Sequence, residues 1–182
     1  MNILAIDPGA TTGWTIYDST KRRVIDSGEF DGCDVPAETP HSWYSVHMVL
    51  IERPKGYGPT RPQVVDCAYV AGRLYGRFDG KFPQGIHEMY RKDVCKALTD
   101  AVHEIIRVRN DATAWAAVKE LHGGEGSDSK GRLGTKKLPA LMCGPLGGVK
   151  SHGRAATALA VAWLHLQAQD AKAAAIVATA NF

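Results

Sequence analysis

Apolar residues form short strand-like runs in the first third of the chain. Residues 2–7 (NILAID) are almost continuously apolar, as expected of a strand buried on both faces. Residues 12–18 and 22–30 resemble antiparallel partners, with DSTK at 18–21 as the hairpin turn between them. The pattern therefore predicts a central strand that is followed by a hairpin.

Strand and helix patterns alternate after the hairpin. SVHMVLIE at 45–52 reads as a second central strand, and the spacing of apolar residues over 63–78 is helical. We expect a further strand at 84–90, helices at 91–98, 111–122 and 151 to about 175, and a loop at 123–149. Hairpin, β-α-β alternation and closing helix together predict an α/β fold with a mixed sheet flanked by helices.

Length and composition indicate one soluble domain. A chain of 182 residues with 45% hydrophobic residues is long enough to bury a core without disulfides, and we assign residues 1–182 to a single domain. The four cysteines are widely spaced, which indicates reduced thiols in a cytosol-like compartment. We expect no signal peptide, no membrane contact and a cytoplasmic location. The Ala-rich end is expected to extend the last helix or to fray, and it receives no function.

Charge is unevenly distributed along the sequence. Residues 1–52 hold 3 Lys/Arg and 8 Asp/Glu, residues 53–96 hold 9 and 4, and residues 130–154 hold 6 and none. An acidic segment beside two basic ones is compatible with a polyanionic partner gripped around carboxylates. The same asymmetry also occurs in proteins where it serves only solubility, so charge alone does not decide between these interpretations.

Asp7 and Glu52 each end an apolar strand. If the two strands are neighbours, the carboxylates emerge at one edge of the sheet, where their repulsion favours a cation between them. Mg²⁺ meets this need with oxygen ligands, and two such ions about 4 Å apart can hydrolyse a phosphodiester. In the alternative, Asp7 caps the PGATTG turn and Glu52 pairs with Arg53 or a loop lysine. His152, at the start of the last helix, is either a nitrogen ligand or a surface residue.

Five segments in order resemble RuvC-type Holliday-junction resolvases, above all their phage-borne members, from residue 2 to about 165. These segments are ILAIDPGATTGW, VLIERPKGYG, AGRLYGRF, YRKDVCKAL and GPLGGVKSHGRAATALAVAW. The resemblance implies a ribonuclease H-like fold with a five-stranded sheet whose first three strands are antiparallel. It also implies a dimeric, Mg²⁺-dependent endonuclease, with Mn²⁺ as a possible substitute. Such an enzyme nicks Holliday junctions or other branched DNA symmetrically near the crossover by a two-metal mechanism, in a bacterial or phage-infected cell.

Residue by residue, Asp7 matches the family's first acid and Glu52 its second. The third and fourth acidic positions, aligned on Ala-Leu-Ala at 158–160, are Arg154 and Thr157 in this chain. His152 lies two residues before the expected ligand, and the resemblance suggests it for that role with a shifted helix start. Asp7, Glu52 and His152 are thus the expected metal ligands, and Thr157 offers a neutral oxygen.

The resemblance also implies contacts with DNA and with a second subunit. The helix over 63–78 is the expected dimer interface, and Tyr57 either stacks on a base at the opened junction or folds onto the core. Basic side chains are expected to neutralise the phosphate backbone. The expected DNA-binding residues are Arg53, Lys55, Tyr57, Arg61, Lys136, Lys137, Lys150 and Arg154.

Two other functions agree with parts of the sequence. A catalytically inactive or weak binder of branched DNA would share fold, charge and dimerisation with a resolvase and would differ only at the metal site. IDPGATTG also resembles the first phosphate-binding turn of actin-like ATPases and sugar kinases. Those proteins duplicate the domain, for which 182 residues leave no room.

Overall fold

The computed structural model describes residues 1–36, 40–54, 62–109, 149 and 151–180. Five strands, three α-helices and one 3₁₀ helix lie in these ranges. The strands are β1 (Asn2–Asp7), β2 (Thr11–Asp18), β3 (Arg23–Asp31), β4 (Met48–Arg53) and β5 (Ile86–Tyr90). The helices are α1 (Pro62–Phe78), α2 (Arg91–Arg109), α3 (Ser151–Ala180) and the 3₁₀ helix His41–Ser45.

The strands form one mixed sheet in the order β3-β2-β1-β4-β5. β1, β2 and β3 are antiparallel neighbours, whereas β1, β4 and β5 run parallel. This confirms the α/β fold and the mixed five-stranded sheet with three antiparallel strands that the sequence and the family resemblance predict. Because β1, β4 and β5 are parallel, their carboxyl ends meet at one edge of the sheet.

β1 is the central strand, and its residues alternate between two apolar layers. Ile3 and Ala5 face α2 and α3, whereas Leu4 and Ile6 face α1, and all four are fully buried. This two-sided burial explains why residues 2–7 are apolar without alternation. Asp7 continues the phase of Ile3 and Ala5, so its side chain lies on the α2/α3 side of the sheet.

α3 packs closely on the sheet because its first half is built largely of alanine. Ala155, Ala156, Ala158, Ala160 and Ala162 are all fully buried. The helix begins over β2 and β3 and reaches β5 further along, where the rings of Trp163 and His87 lie 5.8 Å apart. In the described ranges, no helix has the length and apolar character needed to span a bilayer.

Several predicted boundaries need correction. β4 begins at Met48 and not at residue 45, because Ser45 closes the 3₁₀ helix that precedes it. α2 continues to Arg109, well beyond the predicted end at residue 98, and α3 continues to Ala180. The predicted helix at 111–122 and nearly all of the predicted loop at 123–149 lie outside the described residues.

Candidate active site

The turn after β1 positions the first acid. Pro8 ends the strand, and the Thr12 hydroxyl donates to the carbonyl oxygen of Gly32. The backbone N–H of Gly32 in turn donates to the carbonyl oxygen of Ala10 at 2.8 Å. These bonds fix the turn against the end of β3. Asp7, which has 5% of its surface exposed, is therefore held at the sheet edge.

Glu52 lies on the strand next to Asp7 and on the same side of the sheet. Ile6 is in register with Ile51 in the parallel pair β1–β4, so the following residues, Asp7 and Glu52, also share a side. Glu52 is 3% exposed, and its Oε2 atom is buried without a hydrogen-bond partner among the described residues. The sequence-based expectation that the two carboxylates meet at one edge is met by this geometry.

A protein cation, Arg91, lies between the two acids. Its Nη2 donates to Asp7 Oδ1 at 2.7 Å, and its Nε donates a short hydrogen bond to Glu52 Oε1. Partial burial lowers the pKa of Arg91, but the negative charges of Glu52 and Asp7 have the larger combined effect, so the pKa is raised. The cation expected between the two acids from the sequence was Mg²⁺, whereas in the structure the Arg91 side chain offsets their charge. The alternative in which Arg53 pairs with Glu52 is wrong, because Arg53 binds Glu88 at 2.7 Å.

His152 completes the cluster from α3. Its Nδ1 lies 3.4 Å from Asp7 Oδ2, and its backbone N–H donates to Glu29 Oε1 at 3.3 Å. Glu29 is opposite Gly13 in the β2–β3 pair, and Gly13 is opposite Asp7, so these three positions share one side of the sheet. Glu29 thus places a carboxylate at the positive end of α3.

Gly13 allows α3 to reach this position. A Cβ atom built at Gly13 would lie 2.2 Å from the carbonyl carbon of His152 and 2.4 Å from its Cβ. No side chain fits that gap without moving the start of α3. The glycine is therefore required for the contact between His152 and Asp7.

The other two residues aligned on α3 make different contacts. Arg154 donates from Nε to the carbonyl oxygen of Val149 at 3.0 Å, and the fully buried Thr157 donates its hydroxyl to the carbonyl oxygen of Gly153 at 2.8 Å. Helical geometry turns Thr157 about 140° away from His152, since each residue adds about 100°. Of the α3 candidates, it is His152 that contacts an acid of the pair.

Of the expected DNA-binding residues, two lie in the described ranges. Arg53 follows Glu52, with 51% of its side chain exposed, and Arg154 is half-buried near the start of α3. The remaining six, Lys55, Tyr57, Arg61, Lys136, Lys137 and Lys150, lie outside the described residues.

The sequence analysis missed Arg91 and Glu29. Arg91 stands in the segment YRKDVCKAL, and it directly follows β5, whose carboxyl end meets that of β4 at the site edge. This strand order is the signal that could have identified Arg91. Glu29 could be identified only from the register of β2 and β3.

Burial and the neighbouring acid keep Glu52 partly protonated near neutrality. Burial raises the pKa of Glu52 from 4.5 to about 7, and the charge of Asp7 acts in the same direction while Arg91 opposes it. The folded state therefore binds this proton more tightly than the unfolded state does. The contribution of Glu52 to stability is fully present below about pH 4.5 and is lost as the pH rises through about 7.

We expect Glu52→Gln to remove this pH dependence. In metal-free buffer, the loss of unfolding free energy between pH 5 and pH 8 should shrink by on the order of 2–3 kcal/mol relative to wild type. The unfolding free energy at each pH is measured by urea unfolding, with tryptophan fluorescence as the signal. Glu88→Gln, on the neighbouring strand, is the matched control and should keep the wild-type slope. Equal slopes for wild type and Glu52→Gln would show that Glu52 titrates normally.

Comparison with known proteins yields similarities of fold. The structure is similar to T. thermophilus RuvC in complex with a Holliday junction substrate, with a TM-score of 0.48, 15% identity, and coverage of 93% of this chain and 96% of that chain. It is also similar to a second Thermus thermophilus RuvC structure, with a TM-score of 0.47, 16% identity, and coverage of 93% and 97%. No family model and no curated protein matches the sequence.

The carboxylate pair fits a divalent cation. The described residues contain no group of three or more His, Cys, Asp and Glu side chains of the kind that holds a metal ion. However, Glu52 Oε2 is buried without a hydrogen-bond partner among the described residues. Asp7 Oδ2 is not bound by Arg91 and makes a longer contact of 3.4 Å with His152 Nδ1. Carboxylate oxygens are the ligands that Mg²⁺ prefers, and Mg²⁺ binds through one or two carboxylates when substrate phosphates complete its shell.

Proposed function

We propose that this chain is a divalent-metal-dependent endonuclease that resolves branched DNA, with four-way junctions as its substrate. The observation that carries the proposal is the buried pair Asp7 and Glu52, which lies at the carboxyl edge of two parallel strands with one carboxylate oxygen unpartnered. Burying two acids costs stability, and the ion pairs with Arg91 still leave Glu52 Oε2 without a partner among the described residues, as expected of a metal ligand. The substrate class is supported by the basic segments and by the collinear resemblance to RuvC-type resolvases.

Asp7, Glu52 and His152 are the residues that would hold a divalent metal ion. A divalent ion at such a site supplies an activated water and stabilises the leaving oxygen of the phosphodiester. Asp7 and Glu52 lie on rigid strands, and Arg91 binds one carboxylate oxygen of each and so fixes the orientation of both side chains. His152, with Nδ1 near Asp7 Oδ2, would ligate the ion or orient the attacking water.

Positive side chains would hold the DNA backbone around this centre. We propose Arg53, which follows Glu52 in β4, and Arg154, near the start of α3, as phosphate contacts. Further proposed phosphate contacts are Lys55, Arg61, Lys136, Lys137 and Lys150, and Tyr57 is proposed to stack on a base. Because each such contact releases counterions, binding should weaken steeply with salt.

We further propose that the protein acts as a homodimer, in which α1 supplies the interface. The helix buries one face on the sheet and exposes Val65, Tyr69 and Tyr75, whose relative exposures are 54%, 60% and 39%. A Cβ built at Gly72 or Gly76 meets no atom within 4 Å, so a second helix could approach closely there. A twofold dimer with two identical sites would match the symmetry of a four-way junction.

Nicking of a synthetic four-way junction tests the proposal. With Mg²⁺ or Mn²⁺, the wild-type protein should introduce two symmetrical nicks near the crossover, and it should introduce none in EDTA. A linear duplex of the same sequence is the control and should remain intact. Nicking that persists in EDTA, or equal nicking of the duplex, would contradict the proposal.

A non-catalytic junction binder is the second candidate. It is favoured by the bridge that Arg91 forms between the carboxylates and by Arg154 and Thr157 at positions where the family resemblance implies acids. Such a protein would bind the four-way junction in the same salt-dependent manner. It would leave the DNA intact in both Mg²⁺ and Mn²⁺.

A further inference from the structure

One guanidinium contacts both acids of the site through different nitrogens. Arg91 Nη2 binds Asp7 Oδ1 at 2.7 Å, while Nε binds Glu52 Oε1. Each carboxylate thus gives one oxygen to Arg91. The other two oxygens are Asp7 Oδ2, which faces His152, and Glu52 Oε2, which is buried without a partner among the described residues. These two atoms are the carboxylate oxygens that Arg91 does not bind.

The charges of the site favour one divalent ion over two. When both are ionised, Asp7 and Glu52 together with Arg91 carry a net charge of minus one, which a single divalent ion already exceeds. A second ion would leave a large positive excess beside two carboxylates that are almost fully buried, where charges interact strongly. α3 supplies no acid to offset it, since the residues at the relevant positions are His152, Arg154 and Thr157.

Glu29, which lies on the same side of the sheet as Asp7, is engaged with the start of α3. Glu29 Oε1 accepts the backbone N–H of His152 at 3.3 Å, at the amino end of α3. No larger cluster of metal-binding side chains occurs in the part of the chain that the structure describes. A full two-ion ligand set is therefore not formed by these residues.

We propose that Arg91 takes the place of a second metal ion, so that the site binds a single divalent cation through the remaining oxygens of Asp7 and Glu52. The inference rests on the proposed metal-dependent function and specifies its cation site. Arg91 is a positioning residue in this account: it holds both carboxylates in one orientation and offsets their repulsion before a metal ion arrives.

Titration of the metal-free full chain with Mn²⁺, without DNA, tests the inference. Electron paramagnetic resonance of the free aqueous ion reports how many ions each variant binds. Wild type should bind one ion. Arg91→Met, which keeps the length of the side chain and removes its charge, should bind a second ion or hold the first at least about tenfold more tightly. Arg23→Met is the matched control and should behave as wild type, since Arg23 lies opposite Asp18 at the other end of the sheet from the two acids.

Two results would overturn the inference. One is a wild-type protein that binds two ions or none, and the other is an Arg91→Met protein that binds Mn²⁺ as wild type does. If Arg91→Met does not fold, Arg91→Lys replaces it. Lysine keeps the charge at the site, so this variant should bind one ion, and binding of two would contradict the account.

The outcomes separate this inference from the proposed function. If wild type nicks junctions and binds two ions, the role given to Arg91 is wrong while the nuclease proposal stands. If wild type binds one ion, Arg91→Met binds a second, and no junction is nicked, the role of Arg91 stands and the nuclease proposal fails.

Discussion

Gly13→Ala should destabilise the protein by about 3 kcal/mol and reduce junction nicking more than about 100-fold. The added Cβ would lie 2.2 Å from the carbonyl carbon of His152, and the obstacle is backbone that cannot rotate away. The start of α3 must therefore shift off the sheet. His152 would then move away from Asp7, and a displacement of about 1 Å at a reacting centre is enough for a loss of this size.

Thermal unfolding and nicking should be measured on the same preparation of this variant, at a temperature where tryptophan fluorescence shows it folded. Gly72→Ala is a control for stability alone, because an added Cβ meets no atom of the chain within 4 Å there but Gly72 lies in the proposed dimer interface. Alanine favours a helix interior, so this change in α1 should stabilise the protein by about 0.5–1 kcal/mol. Wild-type stability and nicking in Gly13→Ala would show that α3 does not depend on the close approach at Gly13.

The sheet could be predicted because apolar runs and turn residues in the sequence delimit its strands. β1 is a run of apolar residues that ends at Asp7 and Pro8, and the turn at 18–21 separates two strand patterns. The proximity of Asp7 and Glu52 could be predicted for the same reason, since each acid ends an apolar run. β4 was predicted to start too early because the apolar pattern continues back into residues that form the 3₁₀ helix and the link after it.

The missed parts of the site depend on contacts distant in sequence. Arg91 reaches Asp7 from 84 residues away, and only the placement of β5 beside β4 brings it there. The need for glycine at position 13 arises from α3, about 140 residues later. Alignment on Ala-Leu-Ala pointed to Arg154 and Thr157, and of the residues predicted on α3 it is His152 that the helix phase brings to Asp7. No local pattern encodes these pairings.

The second large effect is expected for Asp7→Asn. Asparagine has almost the same shape but lacks the charge that a divalent cation requires, and it cannot form an ion pair with Arg91. Loss of residues that merely orient metal ligands typically costs 10–100-fold, so loss of a direct ligand should reduce nicking by more than about 100-fold. Junction affinity in EDTA should change little, because the proposed phosphate contacts lie on other residues.

Asp18→Asn is the matched control for this variant. Asp18 also ends a strand, but at the opposite edge of the sheet, where its Oδ1 accepts the backbone N–H groups of Thr20 and Lys21. An asparagine amide oxygen can accept the same bonds. The control should therefore nick and bind junctions as wild type does.

The most direct measurement of the central claim is the single-turnover rate of junction nicking in Mg²⁺ for wild type, Asp7→Asn and Asp18→Asn, with junction binding measured in parallel. The account predicts rapid nicking by wild type and Asp18→Asn, and a loss of more than about 100-fold in Asp7→Asn with binding retained. Nicking by Asp7→Asn at the wild-type rate, or junction binding by wild type without nicking, would contradict it.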